Sequence, residues 1–262
     1  MERFTLKLAG VAIGVSCQYN STKEYCRDYL TDAAPDFSVT VSAGDIEAER
    51  PYFEEERSSR FLETLALYRR ISDGLASYGV FLLHGSAIAV DGEVYIFIAP
   101  SGTGKSTHTS LWRRLLIPRG HEVVMVNDDK PLIRVTAGRV FACGTPWNGA
   151  HRLSTNVSLP VKAICLLERG ESNFIEEISS SRALAALYRS AYRPKKAEAL
   201  DAVLGMLDEV MRGVRFYRLE CDISADAAET AYNMMKKGDL YEAEKRNADS
   251  FYGRVAGHGI DR

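Results

Sequence analysis

The chain has 262 residues, of which 46% are hydrophobic and 26% are charged, and its formal net charge is −2. These proportions describe an ordinary globular protein with ample apolar material for a core. A chain with nearly balanced charge is not drawn to nucleic acid or to an anionic membrane, so we expect neither as a partner. The five cysteines are widely spaced, which predicts free thiols in a reducing compartment.

Targeting and membrane signals are not found in the sequence. The chain does not open with basic residues followed by an apolar stretch and a cleavage site. The longest apolar runs have the length of a strand, as in Val94–Pro100, whereas a membrane span needs about 20 apolar residues. We therefore expect a soluble, cytoplasmic protein.

The sequence pattern of residues 1–79 predicts a small α+β region. Phe4–Leu8 and Phe37–Val41 have strand patterns, and a short helical stretch lies around Lys23–Leu30. A longer helix is predicted over Glu54–Ser77, because its apolar residues recur at three- and four-residue steps. This region could be a separate small domain or an outer layer on the core that follows.

The sequence pattern of residues 80–240 predicts a second region that contains most of the strands. Residues 241–262 form a polar C-terminal tail in this prediction. Asp91-Gly92 is a strong hairpin signal between two of the strands. The predicted strands are Phe81–Leu83, Ser86–Val90, Val94–Ala99, Glu122–Val126, Leu132–Val135, Val140–Cys143, Val161–Leu167 and Arg215–Glu220. The predicted helices are Lys105–Ile117, Ser181–Ser190, Lys195–Arg212 and Ala225–Lys237.

A glycine-rich loop joins the predicted strand Val94–Ala99 to the helix that begins near Lys105. Glycine lets backbone N–H groups turn inward, and those groups together with a helix N-terminus form a nest for phosphate oxygens. A lysine then reaches the outer phosphates, and the hydroxyl after it binds Mg²⁺. Ala99 stands where the usual motif has its first glycine. The residues predicted to bind the nucleotide are Ser101, Gly102, Thr103, Gly104, Lys105, Ser106 and Thr107.

Two acids, Asp128 and Asp129, follow a buried-strand run at its carboxyl end. Ligands of open α/β sheets bind at that end of the strands. Adjacent carboxylates repel each other, and a magnesium ion held by one or two of them together with phosphates relieves the repulsion. Ser106, Asp129 and Asp128 are therefore the predicted metal ligands.

The combination of His84-Gly85, the Ser-Gly-Thr-Gly-Lys-Ser loop, Arg119-Gly120-His121 and Asp128-Asp129 resembles the catalytic domain of HPr kinase/phosphorylase. The wider group includes ATP-dependent phosphoenolpyruvate carboxykinase. The resemblance covers about residues 80–170. It implies an α/β fold with a mixed-sheet P-loop core of that type. It also implies that Asp128 is the base and Asp129 the metal ligand, or the reverse.

The chain departs from both enzymes outside this segment. It lacks the C-terminal signature that HPr kinase uses for its protein substrate, and its N-terminal region is different. Phosphoenolpyruvate carboxykinase is about twice as long, which disfavours lyase chemistry. The resemblance therefore leaves the phosphate acceptor open.

Three further residues could have either a functional or a structural role. In the resembled enzymes the residue at the position of His84 is associated with acid–base control, although a structural histidine is equally compatible. Arg152 lies in a long loop and could neutralise phosphate charge in a transition state. Trp147, in the same loop, either stacks on a ligand or packs inside the protein.

The favoured hypothesis is a kinase that uses ATP and Mg²⁺. Its acceptor would be a hydroxyl on a small molecule or on a serine-bearing peptide, with Asp128, His84 and Arg152 as catalytic residues. The alternative is an ATP-binding regulatory module without a dedicated acceptor. The sequence leaves open GTP or pyrophosphate as the donor, and also a homo-oligomeric assembly.

Overall fold

A computed structural model describes residues 1–149 and 151–237. The predicted tail 241–262 and the last residues of the predicted region 80–240 lie outside the described residues. The strands of the described part are β1 (Glu2–Leu8), β2 (Val11–Cys17), β3 (Phe37–Thr40), β4 (Val80–Leu82), β5 (Ser86–Val90), β6 (Glu93–Ile98), β7 (Val123–Asn127), β8 (Leu132–Thr136), β9 (Arg139–Cys143), β10 (Ser158–Arg169), β11 (Phe174–Ile178) and β12 (Arg215–Cys221). Its α-helices are α1 (Asn20–Tyr25), α2 (Ala43–Glu49), α3 (Ser59–Leu75), α4 (Lys105–Leu116), α5 (Ser180–Ser190), α6 (Ala197–Gly213) and α7 (Ala225–Met235).

The main sheet is mixed and curls around β10. The first residues of β10, Ser158–Pro160, pair antiparallel with β9. The following residues pair parallel with β6 on one side and with β12 on the other. The complete order is β4-β8-β9-β10-β6-β5-β7, with β12 also against β10 and β11 beyond it. This arrangement confirms the predicted mixed α/β fold.

The hairpin between β5 and β6 is closed by Asp91 and Gly92, which have φ values of 51° and 86°. Two successive left-handed residues are typical of the tight turn whose twist matches that of paired strands. Val90 and Glu93 are accordingly the last pair of the ladder. The turn fixes the register of β6, and β6 leads directly into the glycine-rich loop.

Helices cover both faces of the main sheet. α4 and α7 pack on one face around Trp112, which is fully buried. α5 and α6 pack on the other face, around Phe216 and Val210. Burial of these apolar side chains is the main stabilising contribution, at roughly 25 cal/mol per Å² removed from water. Among the described residues, no helix is both long enough and apolar enough to span a membrane.

The N-terminal region forms a three-stranded sheet, in which β1 and β3 both pair with β2. Together with α3 it encloses a third apolar cluster. Val80 and Leu82 of β4, Leu132 of β8 and Trp147 also belong to this cluster. The N-terminal layer therefore shares a core with the main sheet.

Several predicted boundaries differ from the structure. The long helix begins at Ser59, where the Ser58 side chain accepts a hydrogen bond from the N–H of Phe61. The stretch predicted as a helix around Lys23–Leu30 is a short helix, α1, followed by a 3₁₀ turn. Three elements were not predicted: β2, α2 and β11.

Candidate functional site

The glycine-rich loop between β6 and α4 depends on two left-handed glycines. Gly102 has a φ of 78° and Gly104, the residue before α4, a φ of 119°. No atom lies within 4 Å of the position where either would carry a Cβ. Glycine is thus required here by the backbone conformation and not by crowding. The space beside the loop is open.

Arg169, at the end of β10, holds this loop in place. Its Nε donates to the carbonyl of Thr103 at 3.2 Å, and its guanidinium also donates to the carbonyl of Gly102. The N–H and hydroxyl of Thr103 both donate to the carbonyl of Pro100, at 3.3 Å and 2.9 Å. These bonds direct loop carbonyls toward protein donors. Sequence reasoning missed Arg169, because nothing local to it indicates a contact 66 residues away.

Lys105 is the first residue of α4 and is only 8% exposed. Its Nζ donates to the carbonyls of Ala99 at 3.0 Å and Pro100 at 3.3 Å. Burial lowers the pKa of this amine, although the negative charge of Asp129 acts in the opposite direction. The lysine therefore lies folded back along the loop, within the electrostatic influence of one of the two acids.

Asn127, the last residue of β7, sets the conformation of the acidic turn. Its Nδ2 donates to the hydroxyl of Thr145 at 2.9 Å. Its Oδ1 accepts from the N–H groups of Asp129 at 2.9 Å and Lys130 at 2.6 Å. Such side-chain bonds to backbone N–H groups two and three residues on are typical of Asn in turns. Asn127 is buried, so the turn is anchored to the sheet.

The carboxylate of Asp128 is buried and only half satisfied. Its Oδ1 accepts from the N–H of Gly149 at 2.5 Å. Its Oδ2 has no hydrogen-bond partner among the residues described. Burial raises the pKa of this carboxyl, and the nearby charge of Asp129 adds to the increase. A buried polar atom without a partner is costly, and at a functional site it indicates a group that the protein itself does not supply.

Asp129 has the opposite environment. Its carboxylate accepts from Nε2 of His84 at 3.2 Å and from Nζ of Lys130 at 2.9 Å. Burial acts to raise the pKa of Asp129, but these bonds outweigh it and lower the pKa to about 2. The two adjacent acids thus differ: Asp129 is paired and firmly ionised, whereas Asp128 retains a free oxygen. His84 therefore lies beside Asp129.

Two clefts flank the loop, on opposite sides of the first turns of α4. The first, named here the Ser106 cleft, has a volume of about 380 Å³. The residues lining it are Ser106, Thr109, Ser110, Arg113, Arg114, Met125, Asp128, His151 and Leu153. The second, the Thr107 cleft, has a volume of about 390 Å³. It is lined by loop residues, by Thr107 and His108, and by side chains from the end of β10 and the segment after β12, some of them apolar. The structure therefore brings Ser106 and Asp128 together.

Other predicted residues lie elsewhere. Ser101 is exposed on the outer side of the loop. Arg152 is exposed and has a φ of 53°, and its charge acts on the hydroxyl of Tyr25. Trp147 is buried, and its Nε1 donates to the carbonyl of Thr64 at 2.9 Å. Of the two alternatives for Trp147, packing inside the protein is the one observed.

His151 and Arg113 line the Ser106 cleft but were not singled out from the sequence. The helical spacing of Arg113 from Ser106, seven residues, was an available signal, because residues at that spacing share a helix face. Among the residues described, no three His, Cys, Asp or Glu side chains gather as a preformed metal cluster.

Comparison with known proteins decides the family. The family model described as "SynChlorMet cassette protein ScmC" matches residues 54–231, which is more than half of the chain. The chain belongs to the ScmC family. The ScmC match runs from just before α3 into α7 and so contains the loop, both acids and both clefts. That description names no reaction.

No curated protein matches this ScmC-family chain. Among solved structures, it is similar to the Hpr(Ser) kinase/phosphatase from Coxiella burnetii, with 11% identity and a TM-score of 0.34. The similarity covers 62% of this chain and 98% of that chain. At this TM-score the likeness carries no inference about fold or activity.

Proposed function

We propose that the chain is an ATP- and Mg²⁺-dependent kinase that transfers the terminal phosphate to a hydroxyl group in the Ser106 cleft. The observation that carries this proposal is the free, buried Oδ2 of Asp128 in the same cleft as Ser106, the hydroxyl after the loop lysine. A phosphoryl-transfer site needs a base near the acceptor and a phosphate nest beside it. We also propose that the strand–loop–helix unit is a P-loop of the HPr kinase and phosphoenolpyruvate carboxykinase type.

Phosphate binding would use the loop and the start of α4. The glycines keep the space beside the loop clear, and Arg169 binds the carbonyls of Gly102 and Thr103. Among the described residues, the Lys105 amine is bonded to neutral carbonyls alone. An ammonium group is attracted more strongly to an anionic oxygen than to a neutral carbonyl, so phosphate oxygens would be the better partners for this amine.

The nucleoside would occupy the Thr107 cleft. Leu111, Leu167 and Ile223 provide apolar walls, and the volume of about 390 Å³ lies in the range of small-ligand pockets. The donor would then lie across the loop, with its base on the Thr107 side and its terminal phosphate on the Ser106 side. This direction brings the transferred group toward Asp128.

The residues present fit a magnesium ion. Ser106 would hold it together with Asp129, the residue directly after Asp128. Asp128 itself lines the Ser106 cleft, and its Oδ2 has no partner among the described residues. Hydroxyl and carboxylate oxygens are the ligands that Mg²⁺ prefers, and the remaining positions are normally taken by phosphates and water. Bound there, the ion would supply positive charge against the triphosphate.

The proposed reaction is a single displacement. The acceptor oxygen attacks the terminal phosphorus, and the bond from that phosphorus to the bridging oxygen breaks, which releases ADP. The acceptor proton passes to Oδ2 of Asp128. The raised pKa of Asp128 suits a proton acceptor, while the lowered pKa of Asp129 keeps it ionised throughout. Arg152 stays a predicted catalytic residue.

Calorimetry and a turnover assay test the proposal. The parent chain should bind Mg–ATP and release ADP only when an acceptor is present. Lys105→Ala should lose most of the ATP affinity, whereas Lys7→Ala, an exposed lysine of β1, should not. ATP binding without acceptor-dependent turnover would favour the regulatory module, and equal ATP affinity in all three proteins would remove the loop assignment.

A further inference from the structure

The Ser106 cleft contains two arginines that the proposed chemistry does not use. Arg113 is half-buried and Arg114 is exposed, and both line the cleft from the last turn of α4. Ser106, Ser110 and Arg113 lie three or four residues apart, so they project from one face of the helix toward the same space. The arginines are therefore part of the wall that an acceptor would touch.

Among the described residues, these arginines have no acidic partner. Within the chain as described, neither forms an ion pair. Arg119, just beyond the same helix, is by contrast bonded to Glu229 at 2.8 Å. Among the described residues that line the cleft, Asp128 is the only acid, and its free oxygen is proposed to receive the proton. His151 adds a further hydrogen-bonding side chain to the wall.

We infer that the acceptor is a small hydroxy acid, in which an anionic group bound by Arg113 and Arg114 lies near the hydroxyl that is phosphorylated. This inference rests on the proposed kinase function and specifies its substrate class. Guanidinium groups bind carboxylate and phosphate in a bidentate manner, and unpaired arginines facing a cleft are a typical site for such groups. The volume of about 380 Å³ suits a small molecule, not a protein surface.

The test compares acceptors that have an anionic group with acceptors that lack it. ADP release by the full chain is measured with glycerate, glycerol 3-phosphate and glycerol, and with serine and ethanolamine. The member of each pair that carries an anionic group should be used with a KM at least about tenfold lower, since the bidentate bonds from the arginines are lost with the member that lacks it. The two glycerol derivatives distinguish a carboxylate from a phosphate as the recognised group. Preference for the acceptors that lack an anionic group would overturn the inference.

Arginine variants provide the second measurement. Arg113→Gln should raise the KM for the acid about tenfold or more while the KM for ATP stays the same, and Arg114→Gln should act in the same direction. Arg119→Gln is the matched control, because its side chain pairs with Glu229 and does not line the cleft. Equal acceptor KM values in the parent and all variants would overturn the inference.

A binding measurement covers the case in which the screen contains no good acceptor. Glycerate and malonate are titrated into the protein saturated with Mg–ADP, where heat should appear in the parent and be lost in Arg113→Gln. No heat in the parent would overturn the hydroxy-acid inference, as would transfer to an acidic serine peptide without transfer to any small acid. Failure to bind Mg–ATP at all would instead contradict the kinase proposal, so the two failures are distinguishable.

Discussion

Replacing Asp128 with asparagine separates the role of this carboxylate in the reaction from its role in the fold. The amide oxygen can still accept the hydrogen bond from Gly149 that now measures 2.5 Å. The new NH₂ group takes the place of Oδ2, which has no partner among the described residues. A buried unpaired amide costs about 1–3 kcal/mol, and removing a buried charge next to Asp129 offsets part of that cost. Asp128→Asn should therefore remain folded.

The effect on the reaction should be much larger. General base catalysis contributes about 10²–10⁴-fold, which is about 3–5 kcal/mol of barrier. Since asparagine cannot take up a proton near neutral pH, Asp128→Asn should lose that factor in kcat. Affinity for Mg–ATP should change little, because the proposal assigns the ion to Ser106 and Asp129. The parent kcat should also fall as the medium is made acidic through the raised pKa of Asp128.

The assay is acceptor-dependent ADP release beside calorimetry of Mg–ATP binding. Asp32→Asn serves as the control, because Asp32 is an exposed carboxylate of the N-terminal region. Full turnover by Asp128→Asn would refute the reasoning and transfer the role of base to Asp129 or His84. A loss of Mg–ATP affinity instead of kcat would mean that Asp128 is the metal ligand.

Three further predictions concern stability and the loop. Burial lowers the pKa of His108 to about 4, so the unfolded chain takes up a proton near its ordinary pKa of about 6.5 while the folded one does not. The parent should lose about 2–3 kcal/mol as the pH falls from about 6.5 to 4, a loss that His108→Gln avoids in urea unfolding; equal losses would contradict this. Because folding lowers the pKa of Asp129 to about 2, its ionised carboxylate stabilises the fold at pH values above the ordinary pKa of aspartate. This stabilisation is lost as the pH falls toward about 2. Asp129→Asn should hence cost about 1–2 kcal/mol at neutral pH and nothing in strong acid, and a cost independent of pH would count against it. Gly104→Ala and Gly92→Ala both place a side chain at positive φ without a clash and should each cost about 1–3 kcal/mol. Only Gly104→Ala should weaken Mg–ATP binding, and an equal loss in both would contradict the loop assignment.

Much of the fold could be predicted from local pattern. The hairpin at Asp91-Gly92 is set by backbone preferences that act within a few residues, and so is the end of the helix predicted over Lys105–Ile117, which Pro118 and a left-handed Gly120 follow. β2 was missed because it is buried on both faces and so lacks the alternation of a half-exposed strand. α2 was missed because it has only seven residues, although Ser42 and Asp45 form a capping box at its start.

The site was predictable only where its residues are close in sequence. Spacing predicted the loop, Ser106 and the acid pair. It could not show that Asp128 and Asp129 would differ, because Gly149 and His84 reach them through tertiary contacts. Arg169 was likewise invisible, since its partners lie more than 60 residues earlier.

The indole of Trp147 connects the segment that holds Asp128 to the first third of the chain. It is fixed to Thr64 of α3 and contacts Tyr68, and only two residues later Gly149 holds Asp128. A shortened protein that begins at residue 80 would expose this indole to water. The segment that carries Trp147 and Gly149 would then lack its hydrogen bond to Thr64. The N-terminal layer consequently fixes the position of the Asp128 carboxylate. Deleting this layer should therefore reduce turnover before it reduces nucleotide binding.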